Sequence, residues 1–279
     1  MTLSTRNSYF KGGIFLSALF LFLTIVGAYA AFQAYAEAAV NAGMRPHGTI
    51  NTLLAALPGG NPSTYVPLLT TIIAVVYALS GIVLIYYFFE KTQAPEVFFF
   101  GLFVISLSFE LLRIMIPLRE LFPFHPMYLM SGTRLMLFAR YFGLCSLFAS
   151  SLYAAGLDAQ KQQNTFFILF LFALVVAVRL PIDSLVWDST FTLWNGYRNM
   201  LSLVESALAA ITLLTFAIAA YTRASRSYVN IALGIFLVLV GRTMLLTSDT
   251  WITPLPGLLA LASGTWLVLS RLHREYLWL

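Results

Sequence analysis

Charge is what this chain has least of. Asp, Glu, Lys and Arg make up 10% of 279 residues, against about 25% in a soluble domain. With 60% hydrophobic residues and a mean hydropathy of +0.85, it has the composition of a membrane protein. Its single cysteine, Cys145, excludes an intrachain disulfide, and between Leu144 and Ser146 in an apolar run it reads as a small packing residue. The three histidines, His47, His125 and His273, lie far apart, so neither a metal-ligand cluster nor a bis-histidine haem site is expected. The three lysines, Lys11, Lys91 and Lys161, all fall outside the apolar runs, which excludes a retinal-type Schiff base within a span. Also missing are His-Glu-x-x-His, paired cysteines, a Gly-x-Ser-x-Gly elbow and a phosphate-cradling loop. No cofactor and no metal are therefore expected. An intramembrane enzyme acting on a lipid-linked phosphate, with Glu110 or Glu205 as base, lacks a recognisable nucleophile.

What is present is a series of hydrophobic runs, each near the ~20 residues that cross a ~30 Å hydrocarbon core. They read at 12–36, 67–89, 97–117, 133–156, 164–182, 198–222, 228–248 and 254–271. The expected fold is an all-α integral membrane protein, a polytopic bundle of about eight transmembrane helices. Connections between the runs are too short to bury cores of their own, so soluble ATPase, kinase and cyclase domains are excluded.

Arg6, Lys11, Lys91, Lys161, Arg223, Arg226, Arg271 and Arg274 fall on one side of such a bundle, with only Arg45 and Arg119 in the long opposite loops. The positive-inside rule then predicts both termini in the cytoplasm and a location in a bacterial-type cytoplasmic (inner) membrane. A pI near 9.4 follows from that topology, and no basic patch suited to nucleic acid is present. Ala28-Tyr29-Ala30 and Ala34-Tyr35-Ala36 resemble signal-peptidase sites, but the run from Gly12 to Ala36 is long for a signal peptide and is expected to remain as the first span.

Residues 1–66 form the first span and its outer loop, in which 39–57 can hold an interfacial helix ended by Pro58-Gly-Gly-Asn-Pro62. Residues 67–96 carry the second span. The remainder suggests hairpins at 97–160, 161–226 and 227–279. Leu129, Gly132, Arg134, Met136 and Leu137 recur 64 positions later as Leu193, Gly196, Arg198, Met200 and Leu201, as do Pro117 as Pro181 and Leu121 as Leu185. Such an offset predicts an internal repeat of one two-helix unit; Arg242-Thr-Met-Leu echoes Arg113-Ile-Met-Ile as a third copy. Ser263-Gly264 and Gly12-Gly13 read as sites of close helix contact.

The charges left inside the runs are the candidate site. Glu110, Arg113, Arg140, Arg179, Glu205 and Arg242 project to one layer in the outer third of the membrane, roughly 21–24 Å across for the three arginines on helices running outward. Arg134, Arg198 and Asp183 lie at its rim. Charge in a bilayer is costly and marks a working site or a satisfied network. Glu110 and Arg113 share a helical face, Glu205 can take Arg140 or Arg242, and Asp183 can take Arg179, yet arginine stays in surplus. Arginine suits bidentate recognition of carboxylate or phosphate. The expectation is a pocket for an anionic small molecule or lipid headgroup, used in transport or sensing. The alternative is a non-catalytic subunit or scaffold whose charged layer meets a membrane-protein partner. Outer aromatics, among them Trp187, Trp194, Tyr197 and Trp251, read as interfacial anchors.

Overall fold

In lipid a spanning backbone must satisfy its own hydrogen bonds, so apolar runs of this length are driven into helix. The computed structural model describes residues 3–34, 63–119, 121–223 and 226–277, and eight helices within them are long and apolar enough to span a membrane. They are α1 (Leu3–Ala34), α2 (Tyr65–Phe89), α3 (Pro95–Leu118), α4 (Pro126–Ala154), α5 (Gln162–Arg179), α6 (Arg198–Thr222), α7 (Arg226–Leu246) and α8 (Pro254–Leu277). The protein is an all-α polytopic bundle. The interfacial helix expected at 39–57 lies outside the described residues.

Proline sets three of the helix starts. Pro95, Pro126 and Pro254 open α3, α4 and α8, where the missing N–H has no intrahelical partner to lose and φ is already helical. His125 adds a cap, its Nδ1 accepting the Met127 N–H at 3.3 Å. These local signals start α4 seven residues before position 133, where hydropathy alone set it.

Six helices close a ring in which each touches the next: α2, α3, α4, α6, α7, α8 and back to α2. α1 lies outside against α2 and α3, and α5 outside against α4. α3 is the most buried span and α5 and α6 the least. The core between them is aromatic, with Phe98, Phe99, Phe100 and Phe103 of α3 all buried and Phe99 stacked on Tyr153 of α4 at 5.3 Å.

α7 and α8 touch through backbone. Gly234 faces Gly264 and Gly241 faces Gly257, two antiparallel pairs seven residues apart. A Cβ on Gly241 would stand 2.6 Å from the Leu261 nitrogen and 2.7 Å from the Gly257 carbonyl oxygen, and one on Gly264 would stand 2.6 Å from the Gly234 carbonyl oxygen. Only glycine permits this approach, the general device of small residues at membrane helix contacts. Gly13 is tight against the side chain of Ile105, whereas a Cβ on Gly12 would meet nothing within 4 Å among the described residues.

Between α5 and α6 the chain forms an antiparallel hairpin of β1 (Ile182–Trp187) and β2 (Leu193–Asn195), with an irregularity between Asp183 and Trp187. The sequence reading had only a loop with interfacial aromatics here. The matched stretches 129–137 and 193–201 consequently differ in local structure: the first lies wholly within α4, and the second runs from β2 through Gly196 and Tyr197 into α6. α3 and α4 pack on each other, while α5 and α6 both lie against α4.

Candidate functional site

The site starts from a change of helical pitch. Residues Leu107–Ile114 in the middle of α3 form a 3-10 helix, far longer than the 3–4 residues typical of that geometry. Pro117 accounts for its far end, because it offers no N–H to the Arg113 carbonyl four residues back and its ring crowds that oxygen. At three residues per turn, positions i and i+3 eclipse, so Glu110 and Arg113 stand one above the other. Both are 1% exposed, with Arg113 Nη1 3.8 Å from Glu110 Oε2.

Glu110 is held more firmly from α4. Arg140 donates from Nε to Oε1 and from Nη2 to Oε2, both at 2.7 Å, the two-pronged geometry that makes arginine–carboxylate pairs strong. Arg113 turns instead to the β-hairpin, its Nε donating to the Thr190 carbonyl at 2.7 Å.

That hairpin tip is folded into the bundle: Asp188, Ser189, Thr190, Phe191 and Thr192 are all buried. Irregular backbone survives at such a place only when protein supplies its partners. Here Asp188 does so, its Oδ1 accepting from Thr190 N, Thr190 Oγ1 and Thr192 N at 2.7–3.0 Å. Asp188 Oδ2 receives Arg198 Nη2 at 2.8 Å, and the Arg198 guanidinium lies 5.0 Å from the centre of the Trp194 ring. Burial pushes the Asp188 carboxyl above its ordinary range, opposed by the Thr190 and Thr192 hydrogen bonds and the Arg113 charge. Ser189 donates to Asp249 Oδ2 at 2.6 Å, and the Asp249 carbonyl accepts from Ser63 N at 2.8 Å. Phe191 takes φ +57°, a conformation a bulky residue adopts only where surrounding contacts enforce it.

Beside the tip lies a cavity of about 640 Å³, bounded by α4, the hairpin, α6 and α7, within the size range of small-molecule sites. Arg140, Arg198 and Arg242 stand in its wall with Asp188 and Glu205. Arg242 Nη1 is 3.9 Å from Glu205 Oε2, while its buried Nη2 has no hydrogen-bond partner among the described residues. Across the whole cluster, Arg113, Arg140, Arg198 and Arg242 face Glu110, Asp188, Glu205 and, behind Ser189, the buried Asp249, so the formal charges balance.

The structure thus brings together six of the nine residues picked out from sequence: Glu110, Arg113, Arg140, Arg198, Glu205 and Arg242. Arg179 ends α5 on an exposed face and Asp183 is exposed on β1; no ion pair joins them among the described residues. Arg134 is half-buried on α4 and outside the cavity wall. Asp188 was missed. Its surroundings, Trp187-Asp-Ser-Thr-Phe-Thr192, read as loop, and the available signal was an Asp followed by Ser and Thr, residue types that hydrogen-bond nearby backbone in turns. Among the described residues no group of three or more His, Cys, Asp or Glu is placed to hold a metal ion. Comparison with protein-family models, curated proteins and solved structures finds no match.

Proposed function

We propose that the protein binds an anionic small molecule or lipid headgroup in the cavity beside the β-hairpin, in a transport or sensing role. The observation that carries this reading is Arg242, a buried guanidinium in the cavity wall whose Nη2 has no hydrogen-bond partner among the described residues. A buried donor without a partner is costly, and an oxyanion entering the cavity would give Arg242 that partner. Arg140 and Arg198 add two more guanidiniums to the wall, and Glu205 sets its local charge. Glu110 and Arg113 support the wall from behind. The reading puts the hairpin end on the outer side of a cytoplasmic membrane with both termini inside, favoured by the lysines and arginines at the opposite end.

Native mass spectrometry of protein released from nanodiscs made with its host's own lipids tests the proposal. A copurifying anion present in the wild type and lost in Arg242→Gln is the expected result. A wild type that carries no anion, or an Arg242→Gln variant that keeps it, would refute the assignment. One observation favours a second reading, a subunit of a larger membrane complex: Arg179 is exposed among the apolar residues Val175 and Val178 of α5 with no ion pair to a described residue. On that reading a neighbouring protein supplies the carboxylate, and a stoichiometric partner lost in Arg179→Gln would appear in the same spectra.

A further inference from the structure

The cavity is polar at one end only. Asp188, Asn195, Arg198, Glu205 and Arg242 line it near the hairpin, and below them the wall is Leu144, Ala210, Leu213, Phe236, Leu239 and Val240. From Glu205 to Leu213 is two turns and a little more, roughly 12 Å of helix. A small hydrophilic anion would use the first part of this space and leave the second empty.

α6 explains how such a space arises. Its buried residues are Thr212, Phe216 and Ala219, all in the half farther from the hairpin, where Phe216 and Ala219 join the same core cluster as Tyr228, Ile231 and Ile235 of α7. From Arg198 to Ile211 it has no buried residue. α6 is therefore buried at one end and only partly covered at the other, where Leu201 and Val204 pack on the cluster of Leu137, Tyr141 and Leu193 and the outward flank of the helix is left exposed. Ser202, Ser206 and Ala210 of α6, and Phe236 and Thr243 of α7, line the cavity and are themselves exposed. In a membrane that exposure faces lipid, so the cavity opens sideways between α6 and α7.

We infer that the occupant is an anionic amphiphile, an oxyanion headgroup on a hydrocarbon chain, which reaches the cavity laterally from the leaflet on the hairpin side. The headgroup lies against Arg242, Arg198 and Arg140, and the chain runs along Ala210, Leu213, Phe236 and Leu239. This rests on the anion-binding reading above and narrows it to ligands that carry a chain. Phosphate and carboxylate both match the fork of a guanidinium, so a phosphoglyceride and a fatty acid share the required chemistry.

The test uses the full chain in phosphatidylcholine nanodiscs doped with phosphatidylglycerol or with oleate, and counts retained molecules by native mass spectrometry. Glycerol phosphate and acetate serve as chainless headgroups. Wild-type protein should retain phosphatidylglycerol or oleate about tenfold above phosphatidylcholine, whose choline cation would sit among the arginines beside its phosphate; tenfold corresponds to ~1.4 kcal/mol, and which of the two prevails identifies the headgroup. Ala210→Trp, at an exposed position, fills the apolar part and should abolish that excess while leaving chainless binding unchanged. Arg242→Gln should abolish both. Leu213→Trp repeats the block in the apolar part should Ala210→Trp fail to elute as a single folded species. If a chainless anion binds and the chain-bearing probes show no excess, or if both tryptophan variants retain them as the wild type does, the amphiphile inference fails and the anion site stands. If no probe binds above phosphatidylcholine, both fail.

Discussion

Replacing Glu110 by glutamine keeps the shape of the side chain and removes the one carboxylate on which the buried Arg113 and the half-buried Arg140 converge. Arg140 loses two charge-assisted bonds of 2.7 Å, each worth ~1.5–3 kcal/mol, and regains at most one neutral bond to the amide oxygen. Arg113, fully buried, loses its partner at 3.8 Å. Removing one member of a buried ion pair costs ~3–5 kcal/mol in general, and the loss here should lie in that range. Reversible unfolding in mixed micelles, with wild type and variant measured side by side, gives the difference. Arg179→Gln is the matched control, exposed and without an ion pair to a described residue, and should fall within ~0.5 kcal/mol of wild type. Combining Glu110→Gln with Arg140→Gln removes both charges together, so the double variant should be less damaging than the sum of the singles by ~1–3 kcal/mol. An additive pair, or a Glu110→Gln as mild as Arg179→Gln, would refute the geometry assigned to this cluster.

Gly241→Ala places a methyl group against the backbone of α8 and should cost ~1–3 kcal/mol, read as a lowered unfolding midpoint; Gly12→Ala, with nothing within 4 Å, should be neutral or stabilise α1 by up to ~1 kcal/mol through helix propensity. At the end of the bundle away from the hairpin, the Tyr276 hydroxyl donates to buried Glu96 at 2.7 Å. Tyr276→Phe should lower stability by ~1.5–3 kcal/mol, and protection of α8 amides in hydrogen exchange should fall with it. In the core, Thr265→Val leaves the buried Tyr77 hydroxyl without its 2.5 Å partner at a cost of ~1–3 kcal/mol, whereas Tyr77→Phe combined with Thr265→Val removes both polar groups and should recover part of that loss.

The helices were legible in the sequence because a membrane leaves a spanning backbone so few choices: hydropathy alone located all eight, and Pro126 with His125 corrected the start of α4. Ser263-Gly264 could be read as a close contact, but its partner Gly234 could not, since pairing two glycines needs the register of a helix hairpin. At the site, Glu110 and Arg113 were tied by spacing on one helix. The stronger bond from Arg140 depends on how α3 and α4 lie together, which no spacing reveals. The depth argument for Arg179 used only its height along a helix. Height says nothing about direction, and Arg179 points off the bundle while Arg113 and Arg242 point in. The buried hairpin tip was invisible because Asp188 through Thr192 are polar enough to pass for a solvated loop. Their burial is possible only because Asp188 answers the tip's own N–H groups.

The tip also imposes an order on biogenesis. Thr190, whose carbonyl receives Arg113, lies 77 residues later in the chain, and Glu205, beside Arg242, lies on a helix synthesised later still than α3 and α4. When α3 leaves the translocon, Arg113 has only Glu110 at its side, and Glu110 is shared with Arg140 once α4 arrives 30 residues on. The first charged helices must therefore pass through an interval in which the cluster is incomplete. The cluster can close only after the β-hairpin has been made and its tip has folded down between them.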